Sequence, residues 1–365
     1  MSRYFYYLVF VNMIANVVAS VPKILLLEKT EGAILSMVLA LPLGLVLCYI
    51  VAKFFNRFPG KGLPEIMKKY LPRWFTFPII ILIAFGWFMA GMITLITYSF
   101  LLKRFLTPDM PLVWITAIFL LFISYGILMK TSSVLYTVEF VLVCCLPVIF
   151  IIIIKAYTTA EMEWDFVKES MMYVYRLPTF SALAASTYLL LGGFNLIIFN
   201  RFFTKRKQKM TLLQILFLGI VAFGSLFTTY FVPIGLNGFE GVETISYPWI
   251  TTSDALRLEL GIIERVLFVF LILYLAVSFL SLLIHWHVSL ELFRSVIQIK
   301  RLKWKEKNLV PYIIIGVFWI ISLQLTKYLT EHQLTIYTSY FFDGLLISFI
   351  AMVGLFWFIL RRAKA

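Results

Sequence analysis

Apolar runs far longer than the core of a soluble helix needs recur along the chain, separated by short polar stretches. Crossing the hydrocarbon core of a bilayer takes roughly 20 mainly apolar residues in helix. Runs of that kind lie at 4–27, 32–54, 76–102, 111–129, 133–156, 181–202, 211–236, 259–287, 309–327 and 338–360. The pattern predicts an all-α polytopic membrane protein with ten transmembrane helices in a single permease-like domain spanning 1–365. Two of the runs carry residues that a helix resists. The first contains NVVASVPK, Asn16 to Lys23, with Ala19, Ser20 and Pro22; the sixth contains LLGGFN, with Gly192, Gly193 and Asn195. In a helix interior Gly costs about 1 kcal/mol against Ala, and Pro about 3 kcal/mol. The first and sixth runs each open a set of five, so the interruptions fall at matching places in two halves, 4–156 and 181–360. Such matched interruptions accompany the inverted repeats of secondary transporters.

Composition agrees with this division: 62% of residues are hydrophobic, 18% aromatic and only 14% charged, with a mean hydropathy of +0.96. The net charge of +14 would suggest nucleic acid in a soluble protein, but its distribution excludes that partner here. Basic residues gather after the second run (Lys53 to Arg73), after the sixth (Arg201 to Lys209), after the eighth (Arg294 to Lys307) and at the tail (Arg361, Arg362, Lys364). The intervening segments are acidic or balanced, as at Glu28 and Glu31, at Glu161 to Glu169, and at Glu240, Glu243 and Asp254. Positive loops remain cytoplasmic, which places both termini in the cytoplasm and sets the basic clusters against anionic lipid.

Catalytic chemistry is not indicated. Cys48, Cys144 and Cys145 lie within apolar runs without a CxxC arrangement, and no nucleophile elbow, Walker loop or HExxH occurs. His285 and His287 are two apart, about 200° around a helix, and do not converge on a metal; with Trp286 they read as an anchor at the membrane boundary. No cofactor or metal ligand set emerges.

Freed backbone groups survive in a bilayer only where protein or a water-filled cavity satisfies them. The two interruptions therefore predict a shared polar site near the midplane, where half-helix ends hold a carboxylate or a cation. Its expected lining is Asn16, Ala19, Ser20 and Val21 of span one, Gly192, Gly193, Phe194 and Asn195 of span six, and Thr97 and Tyr98 of span three. Close packing between helices is the competing reason for paired glycines.

The stretch YPWITTSDALRLELGIIERVLFVF, with Tyr247 and Pro248 ahead of Ile263 to Arg265, and the stretch FNRFFTKRKQK after the sixth run resemble the GerAB-type spore germination proteins. These are the B subunits of nutrient germinant receptors, within the amino acid, polyamine and organocation transporter superfamily. The likeness runs over essentially the whole chain. It implies a LeuT-like fold with broken helices 1 and 6, a location in the spore inner membrane, and partnership with an A-type membrane subunit and a C-type lipoprotein. It further implies binding of a small nutrient, an amino acid foremost, to trigger germination. Two departures stand out. Relatives often keep glycine in the span-one break, where this chain has Ala19 and Ser20, and some carry a glutamate near Asn195.

Ionisable groups inside spans are functional candidates by default. Glu264 and Arg265 fall at the start of span eight as a gating or structural pair. By analogy with LeuT-like transporters, which close the outer vestibule with a base on span one and an acid on span ten, Lys23 and Asp343 form a candidate gate. Glu139 is a candidate proton-sensitive group, with a solvated or Lys130-paired carboxylate as the alternative. An autonomous proton- or sodium-coupled amino acid transporter and an assembly subunit with a vestigial pocket both remain open beside the receptor.

Overall fold

The computed structural model describes residues 2–18, 20–204, 210–257, 265–297, 303–304 and 307–363, with backbone alone at 303–304 and 307–308. Helices α1 (Arg3–Val18) and α2 (Ser20–Leu27) meet at a bend of 52°. Then come α3 (Ala33–Phe55), α4 (Leu63–Tyr70), α5 (Arg73–Phe105), α6 (Leu112–Ile127), α7 (Thr131–Thr158) and α8 (Trp164–Met171). The sixth apolar run is composite: α9 (Phe180–Tyr188), a 3-10 stretch Leu189–Asn195, α10 (Leu196–Phe199) and a 3-10 turn Asn200–Phe202. It is followed by α11 (Leu212–Asn237), a 3-10 turn Val242–Thr244, α12 (Pro248–Ala255) and α13 (Val266–Val296). A two-residue antiparallel pair, β1 (Lys303–Trp304) and β2 (Lys307–Asn308), precedes α14 (Val310–Tyr328) and α15 (Glu331–Arg362).

Eight of these segments are long and apolar enough to cross a membrane, and the bent α1–α2 pair makes a ninth. Helix α6, with 16 residues, is about 24 Å long and falls short of the roughly 30 Å hydrocarbon core. The chain is thus an almost wholly helical, polytopic membrane protein.

Span six is the axis of the bundle, with 94% of its apolar window buried, against 22% for α7 and 28% for α15 at the periphery. Helix α13 lies along α5, joined by polar side chains that donate to backbone carbonyls. Trp286 Nε1 reaches the carbonyl of Phe88 at 3.1 Å, Ser289 Oγ that of Ala84 at 2.7 Å and Tyr98 OH that of Leu271 at 3.1 Å. Gly91 makes room for the indole, since a Cβ there would lie 2.4 Å from Trp286 Cδ1. The basic segments converge at one end. Arg201 bridges Glu65 and Glu291, Lys68 donates to the carbonyl of Ser295, and Arg362 to that of Tyr70.

Three boundaries differ from the hydropathy pattern by more than a turn, and one of them is the start of the last helix, at Glu331 rather than 338. The eighth helix begins at Val266 and runs to Val296 rather than ending at 287, because Glu291 pairs with both Arg294 and Arg201. His285, Trp286 and His287 are consequently buried within the bundle and are not a boundary anchor. His287 sits between the Thr131 hydroxyl and the Ile127 carbonyl, each 3.1 Å away.

Candidate ligand chamber

Where α1 stops at Val18, its last carbonyls lose their intrahelical donors, and side chains from other spans replace them. Tyr274 OH donates to the carbonyl of Ala15 at 3.4 Å, and the Thr229 hydroxyl to that of Val17. Asn16 Nδ2 turns back one turn to the carbonyl of Asn12 at 2.7 Å. The span-six interruption is satisfied in the same way. Asn12 Nδ2 donates to the carbonyls of Tyr188 at 2.7 Å and Leu189 at 3.3 Å, where α-helix gives way to 3-10. Asn195 Nδ2 donates to the carbonyl of Gly192 at 3.0 Å, and its Oδ1 accepts from Trp87 Nε1 at 2.7 Å.

The glycine pair therefore lies in a close helix crossing rather than an opened cavity. A Cβ on Gly192 would stand 2.5 Å from the carbonyl oxygen of Leu8 and 2.9 Å from Val9 Cα; one on Gly193 would meet the Phe5 ring at 3.0 Å and Cys48 Sγ at 3.2 Å. Phe194 packs on Phe349 with ring centroids 4.2 Å apart, and Val21 is wholly buried in the core. Tyr98 points to Leu271 and packs against Tyr274 and Phe119. Ala19 and Glu264 lie outside the described residues.

Asn16, Ser20 and Thr97 do come together. With Tyr188 and Tyr274 they line a constriction of about 10 Å³, room for about one water. It leads into a chamber of about 290 Å³ that Ser20 and Thr97 also line, at the end of the bundle opposite the basic segments. The chamber is bounded by Lys23 and Ile24 of α2, by Arg104 of α5, by Thr244, Ser246 and Tyr247 ahead of α12, and by the first two turns of α15. A second cavity of about 400 Å³ adjoins it between α2 and α15.

Its charges are arranged differently from the expected gate. Lys23 Nζ donates to the backbone carbonyls of Glu243 and of Ile245, the latter at 2.9 Å, and does not pair with Asp343. Asp343 accepts from Ser181 Oγ at 3.1 Å. The pair across the mouth is Arg104 Nη1 and Glu331 Oε2, 2.8 Å apart, joining α5 to α15. Nearby, Lys29 donates to Glu243 and to the carbonyl of Phe239, with its ammonium over the Phe239 ring. Lys23 and Lys29 thus fasten the segment that forms one chamber wall.

The Lys29 hydrogen bond holds the Glu243 carboxyl below its ordinary value of 4.5. A lowered native pKa means stability that is complete above 4.5 and disappears as pH falls through the native value. Melting curves across acid pH are expected to show this loss in the wild type and not in Glu243→Gln.

Glu139 is not an isolated carboxyl: its Oε1 lies 3.0 Å from Arg3 Nη2. Arg265 is exposed just ahead of α13 and does not lie within the span. Among the described residues no cluster of three His, Cys, Asp or Glu is placed to hold a metal.

Asn12, Trp87, Arg104 and Glu331 went unnoticed in the sequence. Asn12 precedes Asn16 by four positions, so both amides share one helix face, a signal that was available. Arg104 and Glu331 lie just beyond the runs 76–102 and 338–360 and looked like loop charges. No curated protein matches the chain. The family model for spore germination proteins, the spore permeases, matches residues 2–329, and the chain belongs to that family of GerAB-type germination permeases.

Proposed function

We propose that this protein is the membrane subunit of a nutrient germinant receptor, and that it binds a small nutrient, an amino acid foremost, in the chamber between α2, α5 and α15. The observation that carries this is the convergence of Ser20 from the span-one break with Thr97 on one water-accessible chamber, with Asn16 joining them in the constriction that leads into it. The Arg104 and Glu331 pair at its mouth offers a cation and an anion to a zwitterion. Family membership supports a LeuT-like arrangement of two five-span repeats, residence in the spore inner membrane with cytoplasmic termini, and assembly with an A-type subunit and a C-type lipoprotein.

Ligand that binds only the folded protein raises its melting temperature. Amino acids tested on the purified chain are expected to include at least one that does so, and Thr97→Phe, which fills the chamber above the constriction, is expected to abolish the shift while leaving the unliganded melting point within a few degrees. An unchanged shift in that variant would remove the chamber from nutrient recognition. An autonomous transporter is a second reading, favoured by the seven-residue 3-10 run within span six, since such mid-helix runs often mark hinges. Uptake of labelled nutrient by vesicles holding this chain alone would establish it.

A further inference from the structure

We propose that the cavity between α2 and α15 is an apolar subsite that reads the length of the ligand's side chain, which rests on the adjoining chamber being the nutrient site. The two cavities share Lys23, Ile24, Thr244, His332 and Thr335 as walls, so a ligand whose charged end lies beside Lys23 or the Arg104 and Glu331 pair has its tail within reach of the second cavity. What that cavity adds is Leu27, Ile336 and Tyr340, whose hydrocarbon and ring make up most of the new surface, together with Ser339 and the carboxylates of Glu28 and Glu243, the latter already held by Lys29. These apolar side chains are not consumed by packing, being 51%, 38% and 68% exposed respectively. At about 400 Å³ the lobe exceeds the chamber itself and lies within the range of small-molecule sites, which are mainly apolar with a few polar anchors. A ligand the size of alanine leaves this lobe empty. The chemical class it fits is an amino acid with a branched aliphatic or aromatic side chain.

Each methylene taken out of water contributes about fourfold to affinity, so the three additional carbons of leucine predict about 50-fold tighter binding than alanine. The test measures the affinity of the full chain in lipid nanodiscs for L-leucine, L-alanine and glucose by titration calorimetry, with wild type and Ser339→Trp. The indole of the variant should occupy the lobe, removing the leucine preference and leaving alanine affinity within about twofold. Ile336→Gln, which keeps the side chain's bulk but makes it polar, serves as an independent variant should Ser339→Trp fail to fold, and is expected to reduce leucine affinity about fivefold or more. Equal affinity for leucine and alanine in the wild type, as when an acyl chain of the bilayer already fills the lobe, overturns the subsite and leaves the chamber standing. A leucine preference that survives both variants overturns it too. Binding of neither amino acid to the wild type overturns the nutrient site, and the subsite with it.

Discussion

Gly192→Ala is expected to lose about 3 kcal/mol of stability, the upper end of ordinary overpacking. A single added methyl group would stand 2.5 Å from the Leu8 carbonyl oxygen, 2.7 Å from Asn12 Cβ and 2.9 Å from Val9 Cα. Two of these three atoms belong to the backbone of α1, so no rotamer change relieves the contact and the two spans must separate. Separation also draws Asn12 away from the carbonyls of Tyr188 and Leu189, leaving polar groups unpaired where no water replaces them. The control is Gly354→Ala, whose added carbon meets nothing within 4 Å and which gains up to about 1 kcal/mol in helix propensity. Denaturation midpoints in one detergent, with both variants side by side, separate the local clash from any general intolerance of alanine.

Arg201→Ala is expected to cost about 2 kcal/mol and to loosen the end of the bundle that carries the basic segments. Arg201 Nη2 lies 2.7 Å from Glu65 Oε1, and its Nη1 2.6 Å from Glu291 Oε2. Arg294 is 2.5 Å from the other oxygen of Glu291. Removing one member of a buried pair costs 3–5 kcal/mol, but the Arg201 side chain is 25% exposed and that of Glu65 44%, so solvent screening reduces the figure. Part of the loss should return in Arg201→Ala combined with Glu291→Gln, because the second change removes a carboxylate left with Arg294 as its one remaining cation among these groups. A double-mutant cycle on melting free energies measures that coupling, and strict additivity would show that the three groups do not act as a unit.

The membrane class and the positions of most spans were legible because bilayer thickness imposes a length and a polarity that composition displays directly. The interruption of span six was legible as well, since Gly192 and Gly193 are costly in helix wherever they fall. What they accommodate was not legible. Local cost marks the place, while the atoms of Leu8, Val9 and Asn12 that fill the space come from another span about 180 positions earlier. The same holds for Asn195, whose partner is Trp87, and for Arg104 and Glu331, which hydropathy alone leaves as flanking charges. The eighth helix ran past its apparent end for a related reason. Glu291 and Arg294 look like the start of a loop until Arg201 is known to meet Glu291.

The 3-10 geometry of span six also sets how far the span reaches. Residues in 3-10 helix advance about 2.0 Å each, against 1.5 Å in α-helix, so the seven residues Leu189–Asn195 extend span six by about 3.5 Å over an α-helix of the same sequence. That is roughly the difference between a salt bridge and a gap of a water molecule's width. Wound as α-helix throughout, the span would draw Arg201 back from Glu65 and Glu291, so the pitch of the chain at the glycine crossing fixes whether that end of the molecule is fastened.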